Sequence, residues 1–212
     1  MTKEELTKLI TKLVIENMKK QDQRIHLGVS NRHVHLDRAD MNILFGINSE
    51  LTNKKDLGQP GQFAAEEVVT MLGPKGEIER VRILGPLRSK TQIEISASDG
   101  RKLGINAPLR ESGLTENTPG VELIGPAGKV HKDMGVIVSL RHIHMTPKDA
   151  LSAGVKDGQR VSVQVGDKTK RGAILQNVLI RISDRYALEM HIDVDEALAL
   201  GVGNGDYAEI VE

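Results

Sequence analysis

The chain has 212 residues, enough for one large domain or two small ones, with 29 Lys plus Arg against 29 Asp plus Glu, two Phe, two Tyr, no Trp and no Cys. Balanced charge and so few rings provide neither the field nor the stacking platforms that nucleic acid needs, and without cysteine there is no disulfide, thiolate ligand or thiol nucleophile. No apolar run reaches the roughly 20 residues that span a bilayer, and Met1-Thr2-Lys3-Glu4-Glu5 begins no signal-peptide pattern, so a soluble intracellular protein is expected.

Residues 1–22 stand apart from the rest. Leu6, Leu9, Ile10, Leu13, Val14, Ile15 and Met18 recur at helical spacing among Lys, Glu and Thr, and Thr2 with Glu5 has the form of a capping box. This predicts a short amphipathic helix ahead of the globular body, joined through Gln21-Asp22-Gln23. It either packs on its own domain or docks a partner.

From Arg24 onward the pattern is mainly β. Strands are expected over Ile25–Ser30, Glu67–Leu72, Ile78–Leu84, Thr91–Ala97, Gly135–Leu140, Arg160–Val165, Ala173–Ile180, Tyr186–Ile192 and Asp206–Val211. Gly-Pro pairs at Gly73-Pro74, Gly85-Pro86 and Gly125-Pro126 mark turns. Short strands spaced in this way predict small barrels or sandwiches.

One motif is written twice: Val29-Ser30-Asn31-Arg32-His33-Val34-His35-Leu36 and Val138-Ser139-Leu140-Arg141-His142-Ile143-His144-Met145. A strand turns alternate side chains to one face, roughly 6.6 Å apart. His33 and His35 therefore share a face, as do His142 and His144, and each pair offers imidazoles of the kind transition metals take. The alternative is a structural repeat whose histidines only pack; the shared apolar, Ser and Arg context favours a metal role. Each pair runs into a helix start, Asp37 capping one and Thr146 with Pro147 opening the other.

Two further alternating strands carry candidate ligands. Glu189 and His191 share a face, and His191 would complete a three-histidine set with one of the pairs. Gln92 and Glu94 lie opposite Ile93, and Glu94 is the natural carboxylate for the other. Arg88, at the turn after Gly85-Pro86, has the forked geometry that grips phosphate. Lys75 and Arg82 flank the preceding hairpin and would serve other anionic groups or simply face solvent. Leu57-Gly58-Gln59-Pro60-Gly61-Gln62 reads as a lid or tight connection, and His26 and His131 as ordinary histidines. Ala150–Gly158 and Ala197–Gly205 repeat a helix, a glycine cap and a turn. Gly201-Val202-Gly203-Asn204-Gly205 therefore leaves a helix and is no dinucleotide loop.

G-V-S-N-R-H-V-H-L, Q-P-G-Q-F-A-A-E, G-P-L-R-S-K-T-Q-I-E-I-S, S-L-R-H-I-H-M and L-E-M-H-I-D, in that order from Gly28 to the C-terminal part, resemble the PduL-type phosphate acyltransferases, also known as phosphate propanoyltransferases. The resemblance implies a mainly β protein with short α-helices: two β-barrels capped by helices, a two-zinc site between them, and the N-terminal amphipathic helix in front. Residues 23–31 with 140–212 would form one barrel and residues 32–139 the other. By motif, His33, His35 and Glu94 would hold one zinc, His142, His144 and His191 the second, and Arg88 the phosphate. Val29, Ser30, Asn31, Lys75 and Arg82 would contact coenzyme A. The implied reaction converts acyl-CoA (propanoyl-CoA or acetyl-CoA) and phosphate to acyl phosphate and CoA, reversibly, with zinc as Lewis acid. One departure stands out: relatives carry Asn where this chain has Leu198, which makes no polar coenzyme contact. Residues 1–22 resemble the encapsulation peptides of bacterial microcompartments, implying shell or cargo partners, a role in 1,2-propanediol degradation and a compartment lumen instead of the free cytoplasm. A homodimer is implied by the same resemblance. The competing readings are a dinuclear zinc hydrolase of thioesters or phosphoesters and a non-enzymatic metal-binding assembly module.

Overall fold

The computed structural model describes residues 2, 4–11, 24–166 and 171–211. After a helical turn pair over residues 4–11 (α1), the chain forms β1 (Ile25–Ser30), β2 (His33–His35), α2 (Arg38–Phe45), β3 (Asn53–Asp56), β4 (Phe63–Leu72) and β5 (Glu77–Gly85). There follow β6 (Gln92–Glu94), α3 (Ala97–Leu103), β7 (Leu109–Arg110), β8 (Val121–Ile124), β9 (Lys129–Lys132) and β10 (Val136–Ser139). The last part holds β11 (His142–Met145), α4 (Pro147–Ala153), β12 (Arg160–Val165), β13 (Ala173–Ile182), β14 (Glu189–Asp193), α5 (Val194–Leu200) and β15 (Tyr207–Val211).

The strands make two sheets. One is a closed barrel in the order β1-β14-β11-β13-β12-β15, and the other runs β7-β10-β6-β2-β5-β4-β8-β9 with β3 added on β4. Alternation drives each. In β1, Ile25 and Leu27 point into the barrel core while His26 between them is exposed. Ile143, Val163, Val178, Ile180 and Met190 fill that core; Val34, Val69, Ile83, Ile93, Leu123 and Val136 fill the other. The chain crosses between sheets at Asn31-Arg32, from β1 to β2, and again at Leu140-Arg141, from β10 to β11. Both crossings fall inside the repeated motif. Its Val-Ser ends a strand of one sheet and its His-x-His begins a strand of the other.

The expected strands all form, with ends moved by a few residues. The most shortened strand is at Thr91–Ala97, where β6 stops at Glu94 because Ser96 and Asp99 make a capping box that opens α3. The strands β3, β7, β8 and β9 were not expected: Asn53-Lys54-Lys55-Asp56, for one, is exposed throughout and held only by pairing with β4, so it carries no apolar period. Asp37, Thr146 and Pro147 start α2 and α4 as expected. The repeated helix-glycine unit ends α4 and α5 on Gly154 and Gly201, both left-handed with φ of 68° and 66°.

Thr2 and Glu5 exchange the bonds of a capping box, Thr2 N–H to Glu5 Oε2 at 2.7 Å and Glu5 N–H to Thr2 Oγ1 at 3.2 Å. Residues 4–11 are exposed, Leu6, Leu9 and Ile10 included; Leu13, Val14, Ile15 and Met18 lie outside the described residues. No helix among the described residues is long and apolar enough to cross a membrane.

Candidate metal centre

Two strand pairs of the same design face one cleft. β2 runs antiparallel to β6 with His33 opposite Glu94, Val34 opposite Ile93 and His35 opposite Gln92. β11 runs antiparallel to β14 with His142 opposite His191, Ile143 opposite Met190 and His144 opposite Glu189. The central residues of all four strands are fully buried in their cores, which turns the flanking polar side chains to the other face. The result is two sets, His33/His35/Glu94 and His142/His144/His191, whose ligand atoms within each set lie within 4.8 Å of one another. The rings of His142 and His144 stand 4.6 Å apart, and each is 5.0 Å from His191.

Backbone geometry orients the rings in both sets alike. His33 Nδ1 lies 2.8 Å from the Asn31 carbonyl and His142 Nδ1 2.8 Å from the Leu140 carbonyl. A carbonyl only accepts, so Nδ1 holds the proton and Nε2 is left with its lone pair toward the site. Glu94 is framed by a polar network: Gln92 Nε2 donates to it at 2.6 Å and Ser112 Oγ at 3.2 Å, and the Gly113 N–H fixes the Gln92 carbonyl at 2.7 Å. On the other side Gln59, 4% exposed, donates to Glu189 Oε2 at 2.8 Å and accepts from the Ala187 N–H at 3.2 Å. Leu57–Gln62 is thus a connection from β3 that reaches across to β14. Its Gly58 lies so close that a Cβ there would meet both Glu189 carboxylate oxygens at 2.6 Å.

Burial and like charge keep His35, His142 and His144 neutral. Desolvation, then His33 and Arg88, hold His35 well below the ordinary value. Desolvation and His191 bring His142 down to about 4, and desolvation with His142 and His191 brings His144 down to about 2. Burial pushes the Glu94 carboxyl up, but His33, His35, Arg88 and His142 outweigh it and hold it at about 2. Neutral imidazoles and an ionised carboxylate are the protonation states of metal ligands. A further observation fits a metal: both ring nitrogens of His144 are buried with no hydrogen-bond partner among the described residues, a costly arrangement unless an ion takes up a lone pair. The donors are nitrogen and oxygen only, a set suited to zinc.

The cleft has a volume of about 900 Å³ and collects residues from both sheets. Val29, Ser30, Asn31, Arg82 and Arg88 line it. Arg88 is near enough to Glu94 on one side and to Arg181 and Tyr186 on the other for each to act on its charge, and its Nη1 donates to Ser112 Oγ at 3.3 Å. Lys75 does not line the cleft. It faces a separate depression with Ser96, Arg101 and Asn106, because the hairpin turn that carries it packs on Gly104 at the end of α3; Lys55 on β3 is the lysine at the cleft. Leu198 is 70% exposed on α5 and also lies off the cleft. His26, read as ordinary, is at the cleft rim against Tyr207. Arg181 and Tyr186 gave no sequence signal: Arg181 arrives by the parallel pairing of β13 with His144, and Tyr186 stacks on the His144 ring at 4.0 Å. Asn204 likewise enters only through the fold, its Oδ1 accepting from the Val29 N–H at 2.7 Å.

Known proteins match most of this chain. The family model for phosphate propanoyltransferase matches residues 26–203. A phosphate propanoyltransferase of Rhodopseudomonas palustris is 54% identical over 88% of this chain and 82% of its own. That of Thermotoga maritima is 52% identical over 91% of both chains, and that of Citrobacter freundii 50% identical over 96% of this chain and 95% of its own. The chain belongs to the phosphate propanoyltransferase family and is an acyltransferase.

Proposed function

We propose that this protein is a two-zinc phosphate propanoyltransferase that interconverts propanoyl-CoA plus phosphate with propanoyl phosphate plus CoA, acetyl-CoA being a second substrate. The observation that carries this is the pair of matched three-residue sets facing one cleft, with Arg88 acted on by Glu94 of one set and by Arg181 and Tyr186, which neighbour His144 of the other. His33, His35 and Glu94 hold one ion; His142, His144 and His191 hold the other. When bound, two zinc ions supply positive charge and Lewis acidity for an acyl carbonyl and a phosphate.

The chain's own residues do the rest. Arg88 holds the phosphate dianion in a forked grip, and Ser112 fixes the guanidinium that does so. Val29, Ser30 and Asn31, at the end of β1, together with Arg82 and Lys55, receive the anionic coenzyme. With Lys75 facing another depression, Lys55 takes the coenzyme role anticipated for it. A phosphate oxygen bonds to the acyl carbon as the carbon–sulfur bond breaks, and the thiolate leaves as CoA. The chain has no cysteine, so no thiol acyl-enzyme forms. Intersecting lines in double-reciprocal initial-velocity plots are expected; parallel lines would overturn direct transfer. The two sheets act as domains, residues 23–31 with 140–212 and residues 32–139, and the site lies where they meet.

The test is CoA release from propanoyl-CoA with and without phosphate, before and after chelation and zinc repletion. Phosphate-dependent release lost on chelation and restored by zinc supports the reading. Release without phosphate supports a dinuclear hydrolase, and no release from a zinc-loaded protein supports an assembly module. For residues 1–22 we propose packaging into a bacterial microcompartment that degrades 1,2-propanediol, supported by the exposed Leu6, Leu9 and Ile10 of α1. Removing the segment should leave activity intact and abolish co-purification with shell proteins.

A further inference from the structure

The duplicated motif places an arginine directly before each histidine pair, Arg32 before His33 and Arg141 before His142. Because β2 is antiparallel to β6 with His33 opposite Glu94, Arg32 sits where β6 ends and α3 begins. There its Nε meets Asp99 Oδ1 at 2.8 Å. The second copy repeats the arrangement: with His142 opposite His191, Arg141 sits where β14 gives way to α5, and its Nη1 meets Glu196 Oε1 at 2.8 Å.

Asp99 and Glu196 are the same position of two helices. Each is the N3 acid of a capping box, in α3 closed by Ser96 and in α5 by Asp193. Each N-cap stands two residues past the third ligand of its set, Glu94 or His191. The two helix starts also touch, the Ser98 N–H donating to Asp195 Oδ2 at 2.8 Å. A continuous line of polar contacts, Arg32–Asp99, Ser98–Asp195 and Glu196–Arg141, therefore runs from one half-site to the other. The Arg32 and Asp99 side chains are 35% and 6% exposed, and those of Arg141 and Glu196 are 26% and 24% exposed. An incidental surface ion pair stabilises little and has no reason to recur at the same register in both copies.

We infer that Arg32 and Arg141 are positioning residues: each clamps the helix cap that ends the strand carrying the third ligand of its own half-site, and the Ser98–Asp195 contact ties the two clamps together. The arginine of the motif serves the ligand set as second-layer support, in the way outer hydrogen bonds tune ligand geometry. This rests on the reading that both sets hold metal.

The test is zinc binding by the full chain, measured by chelator competition, with cobalt(II) absorption spectra as a second readout. The wild-type chain is compared with R32A, R141A, R32K and R141K, and circular dichroism and thermal unfolding check the fold of each. The wild type should bind two ions. R32A should weaken one of them by roughly 10- to 100-fold and R141A the other, each changing a different part of the cobalt spectrum. Lysine should recover much of the loss. In a His144→Ala chain, which keeps only the first set intact, R32A should act and R141A should not. If the wild type binds fewer than two ions, the metal reading falls and this inference with it. If the wild type binds two and both alanine variants keep both affinities within about twofold, or weaken both ions equally, the clamp inference falls alone.

Discussion

Glu94 and His191 stand at the same register position in two copies of one strand pair, yet their surroundings have diverged. Glu94 is buried inside a network of Gln92, Ser112 and Gly113, and its carboxylate draws His33 to 3.6 Å and His35 to 4.0 Å. The second set is histidine only, and both nitrogens of His144 lack hydrogen-bond partners among the described residues. Its nearest carboxylate, Glu189, occupies the position that Gln92 holds in the first set, lies 3.2 Å from His191 Nε2 and accepts from Gln59. One scaffold thus sets its carboxylate differently in the two copies: opposite His33 in the first, and two residues before His191 on the same strand in the second.

The widest test of this comparison is ligand deletion. His35→Ala and His144→Ala should each lower phosphate-dependent CoA release by roughly 10³-fold or more if the two sets act as one site. Activity within tenfold of wild type for either variant would show that its set is dispensable. Next in size, Arg88→Ala should lower kcat/KM for phosphate by roughly 10²-fold, with the KM for propanoyl-CoA little changed; equal losses for both substrates would remove its specific role. Glu94→His makes the first set resemble the second. It strips an acceptor from Gln92 and Ser112 and should destabilise the metal-free fold by about 1–3 kcal/mol in denaturant melts, whereas an unchanged melt would mean the network is idle.

The pH dependence of stability follows from the same contrast. His35, His142 and His144 remain neutral in the folded, metal-free chain well below their ordinary value of 6.5. Below that pH the unfolded chain binds more protons than the folded one, so stability is full above it and falls on acidification. Glu94, held at about 2 against an ordinary 4.5, contributes stability that is full above 4.5 and is lost as pH falls from there to about 2. A melting temperature of the chelated protein that stays flat from about pH 7.5 to about pH 5.5 would contradict this. The smallest expected effect is at the strap: Gln59→Ala should cost about 1 kcal/mol by removing its bonds to Ala187 and Glu189, read as a lower midpoint with zinc content unchanged.

Much of the site was legible because its chemistry is written in short periods. The His-x-His pairs, Glu94 beside Gln92 and His191 beside Glu189 follow from the alternation of strands, and Asp37, Thr146 and Gly154 mark helix ends through local backbone bonding. Strands such as β3 and β9 were not legible, since Asn53-Lys54-Lys55-Asp56 and Lys129-Val130-His131-Lys132 depend on a neighbour and not on an apolar face. Lys75 shows what a local reading leaves open: the turn that carries it packs on Gly104 at the end of α3 and faces the depression there.

By itself, then, the sequence determined two copies of a strand-to-helix motif, nitrogen and oxygen donors in place of thiolate, and membership of an acyltransferase family. Alternation alone left open which third residue stands beside which pair; the family resemblance implied it, and the antiparallel registers of β2 with β6 and of β11 with β14 are what place Glu94 opposite His33 and His191 opposite His142. The tertiary structure likewise brought Arg181, Tyr186, Gln59 and Ser112 to the cleft from strands and loops distant in the chain. Side-chain alternation is a local property of the backbone, whereas register and crossing points are set by how two separate cores bury their apolar faces.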